Sequence, residues 1–197
     1  MNNLIGNCCI SSWITSKNLK QEFINPFTWC IMNFESSYNL IKYWDSLDFR
    51  NYELIKDENW NFSIIIDNKV KVQYVHYKFS PKYNKPTKIG DDIFYNKIWE
   101  YIVEKYETRL NKMLELKIKP IFILAQAKNS PLKRSYITIE QQEKIKKLNS
   151  NYKIVLSFDK MIEPNGNIFC ANQTKKYDGN TWQMANEIFN KIKTTIL

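Results

Sequence analysis

A cysteine stands directly after a glycine–asparagine pair near the start of the chain, Gly6-Asn7-Cys8, behind the apolar Leu4-Ile5. Leu4 to Gly6 predicts the end of a short buried strand, and Cys8 to Ser16 a helix with Asn7 as its N-cap. A thiol at the first turn of a helix faces unpaired backbone N–H groups and the positive end of the helix dipole, which favour the thiolate. The same N–H groups could hold an oxyanion while the sulfur attacks an acyl carbon. Gly6 allows a tight turn and a close substrate approach. The competing reading makes Cys8 a small buried hydrophobe, as most free cysteines are. Cys9 points about 100° further around the helix, toward the core.

A cysteine nucleophile needs a base, and His76 is the only histidine in the chain. It would close a strand before a turn-rich loop, either as the base or as a satisfied core histidine. A third, orienting group is open between Asn129, Gln126 and Asp159, each beyond the end of an expected strand. Lys128, Lys133 and Arg134 make the loop around Asn129 basic, which suits a phosphate or carboxylate as well as plain solvation. One histidine and no cysteines at zinc-ligand spacing exclude a closed metal site. No glycine-rich phosphate loop, GxSxG elbow or HExxH motif is present.

The elements that must position these residues read as a single α/β domain over 1–197, a layered fold with a mixed sheet flanked by helices. The clearest β signal is an antiparallel hairpin near 62–77, Phe62 to Ile66 and Val70 to Tyr77 around Asp67-Asn68-Lys69. Val70, Val72, Tyr74 and His76 share one face by alternation. Ser36 and Ser37 precede a helix through Leu40, Ile41, Trp44 and Leu47. The longest helix spans about Asp91 to Leu116, with Phe94, Ile98, Trp99, Ile102, Val103, Tyr106, Leu110, Met113 and Leu114 in one broad apolar stripe. Ile121 to Ala127 and Tyr152 to Phe158 predict buried strands. Thr138 to Leu148 predicts a charged surface helix capped by Thr138 with Gln141 three residues on. Asn165-Gly166 marks a turn, and Asn180 to Ile192 a closing helix.

Composition narrows the partners. The 197 residues carry a net charge of +9, yet of 29 basic residues only Arg50, Arg109 and Arg134 are arginine. Bidentate reading of phosphates and guanines is arginine work, so this lysine bias argues against a nucleic-acid reader. No basic leader or apolar run announces a signal peptide or a membrane span, and the four cysteines fit no disulfide framework. The expected location is cytoplasmic, with free thiols.

Several motifs follow one another in a familiar order: Leu4-Ile5-Gly6-Asn7-Cys8, Phe23-Ile24-Asn25-Pro26-Phe27-Thr28-Trp29, Tyr38-Asn39-Leu40-Ile41-Lys42-Tyr43, Tyr74-Val75-His76-Tyr77-Lys78 and Tyr106-Glu107-Thr108-Arg109-Leu110 before Ile121-Phe122-Ile123-Leu124. Over residues 4 to 130 the chain resembles a bacterial domain of unknown function found in exopolysaccharide and capsule gene clusters. It is also similar to a related group described as papain-like cysteine peptidases. The resemblance implies Cys8 as nucleophile, His76 as base and Arg109 as a structural or anion-binding position. Thr28 stands where the peptidase-like group often has Asp. The Gly-Asn-Cys start also resembles capsule acetyltransferases that use coenzyme A.

The expectation is therefore acyl transfer through a thioester at Cys8, by a transferase or hydrolase of surface-polysaccharide biosynthesis. Gly6, Asn7, Trp29, Arg109, Lys128 and Arg134 lie on the substrate side, and Asn129 is the third catalytic candidate. No cofactor is required, although coenzyme A could serve as acyl donor. The partner is a saccharide or an acyl-carrying small molecule. A non-catalytic carbohydrate-binding or assembly protein, with stacking aromatics, and a papain-like peptidase are the alternatives.

Overall fold

The computed structural model describes residues 3–22, 24–56, 62–74, 92–117, 119–126, 136–148, 150–171 and 181–196. Among the described residues eight strands form two sheets. β1 (Asn3–Gly6), β6 (Pro120–Ala125), β7 (Lys153–Ser157) and β8 (Ile168–Cys170) make a parallel sheet in that order. β2 (Cys30–Ile31), β5 (Val70–Tyr74), β4 (Phe62–Ile66) and β3 (Tyr52–Lys56) make an antiparallel one. The layered α/β class is as expected, with the parallel and antiparallel pairings falling in separate sheets.

Alternation along the parallel strands gives that sheet two apolar faces, as buried parallel sheets require. Leu4, Ile121, Ile123 and Val155 face Ile10 of α1 (Ile10–Trp13) and Met184, Ile188 and Ile192 of α5 (Thr181–Ile196). Ile5, Phe122, Leu124, Ile154 and Leu156 belong to a larger core with Phe62, Ile64, Val70 and Val72 of the antiparallel sheet. That core also takes Leu40 and Ile41 of α2 (Phe34–Tyr43) and Ile98, Ile102, Tyr106 and Leu110 of α3 (Asp92–Glu115). Ile98, Ile102, Tyr106, Leu110 and Met113 of the expected stripe are thus buried, whereas Trp99 and Leu114 at its margins are exposed.

Local chemistry sets several boundaries. In the hairpin, Asp67 and Asn68 both have left-handed backbones (φ 50° and 51°), the pair of conformations that matches strand twist and that Asp and Asn tolerate. α4 (Ile139–Lys146) opens with a full capping box: Gln141 N–H donates to Thr138 Oγ1, and Thr138 N–H to Gln141 Oε1. Its Gln142 is wholly buried and bonds the backbone at Ile137, Lys160 and Ile162. α2 begins earlier than expected, because Asn33 caps it by accepting from Ser36 N–H and leaves Ser36 and Ser37 inside the first turn.

The first helix departs most from expectation. α1 starts at Ile10, with Cys9 at its N-cap and no side-chain cap, and passes into a π-helical segment, Ile14–Asn18. Asn7 is not the cap. Gly6 is needed for close approach: a Cβ there would lie 2.6 Å from Ser11 Oγ and 3.0 Å from the Ile123 carbonyl oxygen. The neighbour that approaches it is therefore α1. No helix among the described residues is long and apolar enough to cross a membrane.

Gly6→Ala should push α1 off the sheet and lower stability by about 1–3 kcal/mol, the usual cost of overpacking. A urea titration reads this as a lower midpoint at unchanged slope.

Candidate functional site

Cys8 lies just past the C-terminal end of β1, beside the C-terminal end of β6. The register of these strands closes at Gly6 opposite Ile123. Beyond it, two side chains replace the backbone ladder. Asn7 Oδ1 accepts the Ala125 N–H at 2.9 Å, and Cys8 Sγ donates to the Ala125 carbonyl at 3.2 Å. Asn7 is fully buried, and its own carbonyl accepts the Met32 N–H at 2.9 Å. The Asn-Cys dipeptide thus holds the end of β6 and joins it to the segment leaving β2.

The electrostatics of the thiol run against the expected thiolate. Burial pushes Cys8 up to about 12, and the Ile10 N–H, which favours the anion, offsets only part of this. The resting sulfur is a neutral thiol. Burial raises Cys9 and Cys30 as well, each further disfavoured as an anion by the neighbouring thiols. Among the described residues no group of His, Cys, Asp and Glu is arranged to hold a metal ion.

A second feature lies where β2 meets β5. Asn25 accepts the Phe27 N–H at 2.9 Å and donates to Asn3 Oδ1, fixing the turn through Pro26. Tyr74 O–H donates to the Pro26 carbonyl at 2.7 Å. Trp29 then takes a left-handed backbone, φ 57°, uncommon for a bulky residue. Its N–H donates to Ser12 Oγ at 2.8 Å, and its ring meets Trp13 edge-on with centroids 5.3 Å apart.

This geometry makes Trp29, Thr28 and Tyr74 one wall of a cavity of about 90 Å³. Tyr101, Lys105 and Arg109 of α3 form the other wall. Arg109 donates to Thr28 Oγ1. Burial lowers its guanidinium below the usual range, and nearby Tyr74, Tyr101 and Cys30 partly offset this. Burial also holds Tyr74 and Cys30 well above their ordinary values, so both are neutral beside it. The Lys105 ammonium sits 5.5 Å from the centre of the Tyr101 ring.

The structure thus brings together Trp29 and Arg109 of the expected substrate-side residues, and separately packs Gly6, Asn7 and Cys8 against α1 and β6. His76, Asn129, Lys128 and Arg134 lie outside the described residues. Of the rivals for the third role, Gln126 directly follows Ala125 and donates its N–H to the Ser157 carbonyl, whereas Asp159 is exposed. Tyr101 and Lys105 have no place in the sequence reading, and Thr28 enters it only as the residue standing where the peptidase-like group often has Asp. Their signal is the spacing of 101, 105 and 109, a polar stripe beside the apolar one of α3.

Asn7→Ala leaves the buried Ala125 N–H without its acceptor and should cost about 1–3 kcal/mol. Cys8→Ser keeps a donor for the Ala125 carbonyl and should unfold close to the wild-type midpoint, both read by urea titration.

No family model, curated protein or solved structure matches this chain.

Proposed function

We propose that the chain is a cysteine-dependent acyl-transfer enzyme, a transferase or hydrolase of surface-polysaccharide biosynthesis, with Cys8 as nucleophile and His76 as base. The observation that supports it is the place of Cys8, beyond the C-terminal ends of two neighbouring parallel strands. Open parallel sheets gather their ligands at that end. The residue is partly open to solvent, and the first amide of α1 faces its sulfur.

The neutral thiol defines the order of events. The Cys8 proton leaves the Ala125 carbonyl for the His76 imidazole as the sulfur attacks the acyl carbon. The S–C bond forms, the bond to the leaving group breaks, and that group takes the proton from the imidazolium. Water or a sugar hydroxyl then resolves the thioester. Coenzyme A fits as an acyl donor, and no resident cofactor is needed. With so high a resting pKa the base is obligatory. A second reading, a non-catalytic saccharide-binding or assembly protein, is favoured by the same neutral, hydrogen-bonded thiol. A papain-like peptidase would use the same two groups on a peptide carbonyl.

Incubation with acetyl-coenzyme A followed by intact mass spectrometry should show one acetyl adduct on the wild type and on Cys9→Ala. None should form on Cys8→Ala, and formation should be much slower on His76→Ala. An adduct that survives in Cys8→Ala overturns the assignment. A chain that takes no acyl group from thioester, ester or peptide donors belongs to the binding reading.

Iodoacetamide labelling of Cys8 should rise about tenfold per pH unit between about pH 7 and 10, because the thiolate fraction grows toward a pKa above that window. A plateau below neutrality would instead reveal a standing thiolate–imidazolium pair.

A further inference from the structure

The cavity between the Thr28-Trp29 turn and α3 has a composition that plain packing does not call for. Two cationic side chains, Lys105 and Arg109, line it together with the aromatic rings of Trp29, Tyr74 and Tyr101 and the Thr28 hydroxyl. Its volume of about 90 Å³ has room for one carboxylate or phosphate group.

The positive charge is fixed in place. Arg109 is half-buried on α3 and hydrogen-bonded to Thr28, while Thr28 is almost wholly buried. Thr28 Oγ1 accepts from one guanidinium nitrogen, and a planar fork of donors suits an oxyanion. Lys105 adds a second charge at the rim, on the neighbouring turn of the same helix. Trp29 supplies a half-buried face held by Ser12 and Trp13. Aromatic faces of this kind cover the apolar faces of sugars or other flat groups while the charge takes the anionic end.

We propose that this cavity is an oxyanion-binding site that takes the carboxylate or phosphate of an acidic saccharide, with Arg109 and Lys105 holding the anion and the sugar resting on Trp29. The site stands on the cavity alone and holds whether or not Cys8 forms a thioester. Acidic sugars carry their charge either as a uronic carboxylate or as a sugar phosphate. Both present the same oxygens to Arg109.

Isothermal titration calorimetry of the full chain with glucuronate, glucose 1-phosphate, inorganic phosphate and glucose tests the site. The anionic sugars should bind and glucose should not, and the tighter of the two anionic sugars assigns the head group. Thr28→Asp sets a carboxylate against Arg109 in place of the ligand and should weaken binding about tenfold or more. Lys105→Gln, at the half-exposed rim, should weaken it a few-fold and keeps the test alive if Thr28→Asp fails to fold. Trp29→Phe should weaken the sugars while sparing inorganic phosphate. Lys144→Gln, on the exposed face of α4, should change nothing.

Equal binding of glucose and glucuronate would overturn the proposal. So would unchanged affinity in both Thr28→Asp and Lys105→Gln, or no binding of any anion at tens of millimolar. The mass readout at Cys8 decides the acyl-transfer reading and the calorimetry decides this one, so either can fail while the other stands.

Discussion

The peptide group of Ala125 is the point on which the arrangement rests. Its N–H and carbonyl lie at the end of β6, where β1 no longer offers backbone partners, and the side chains of Asn7 and Cys8 take over. A buried amide without an acceptor costs about 1–3 kcal/mol, so the residue after Gly6 must carry an acceptor. Asn7 meets that demand and also passes its own carbonyl to Met32, just beyond β2. One dipeptide therefore fastens the parallel sheet to the segment that begins the antiparallel one. Gly6 makes this possible by letting α1 lie directly on the strand end.

The same constraint shapes the chemistry of the thiol. A sulfur that donates to a carbonyl in a largely buried setting is stabilised as S–H, and the single amide of Ile10 does not reverse this. Architecture and reactivity thus draw on the same atom. A thiol built this way rests in its protonated form. That differs from a helix-terminal thiolate, which is reactive before anything binds. The cationic cavity at Arg109 carries the opposite sign of specialisation, a standing charge with neutral tyrosine and cysteine neighbours.

Much of the fold is legible in the sequence because its periodicities are strong. The Val70, Val72, Tyr74 alternation, the apolar run from Ile121, the stripe of α3 and the Thr138 capping box all correspond to what forms. β3 escapes because Tyr52 to Lys56 is a half-exposed edge strand with Glu53 and Lys56 interrupting its apolar residues. β8 escapes because three residues carry too little pattern. The site is legible in part. Trp29 and Arg109 could be singled out from motifs, but their meeting depends on a turn and a helix eighty-one residues apart, joined through Thr28. Asn7 reads as a cap because Asn before an apolar run signals one. Here tertiary pairing with Ala125 claims the side chain first.

The distance along the chain between Cys8 and its acceptor gives the clamp a further meaning in time. The two residues are separated by 117 positions, and closing a loop of that length costs roughly 4 kcal/mol by chain statistics. A chain made from its N-terminus onward exposes Cys8 and the β1 edge long before β6 exists. The antiparallel sheet, whose hairpin pairs neighbouring strands, lies wholly within that interval. Local pairing can organise the middle of the chain first, and the parallel pairing of β1 with β6 then closes the fold around it. The thiol gains its carbonyl partner and its raised pKa only at that closing step, so the suppression of its thiolate is a late product of folding.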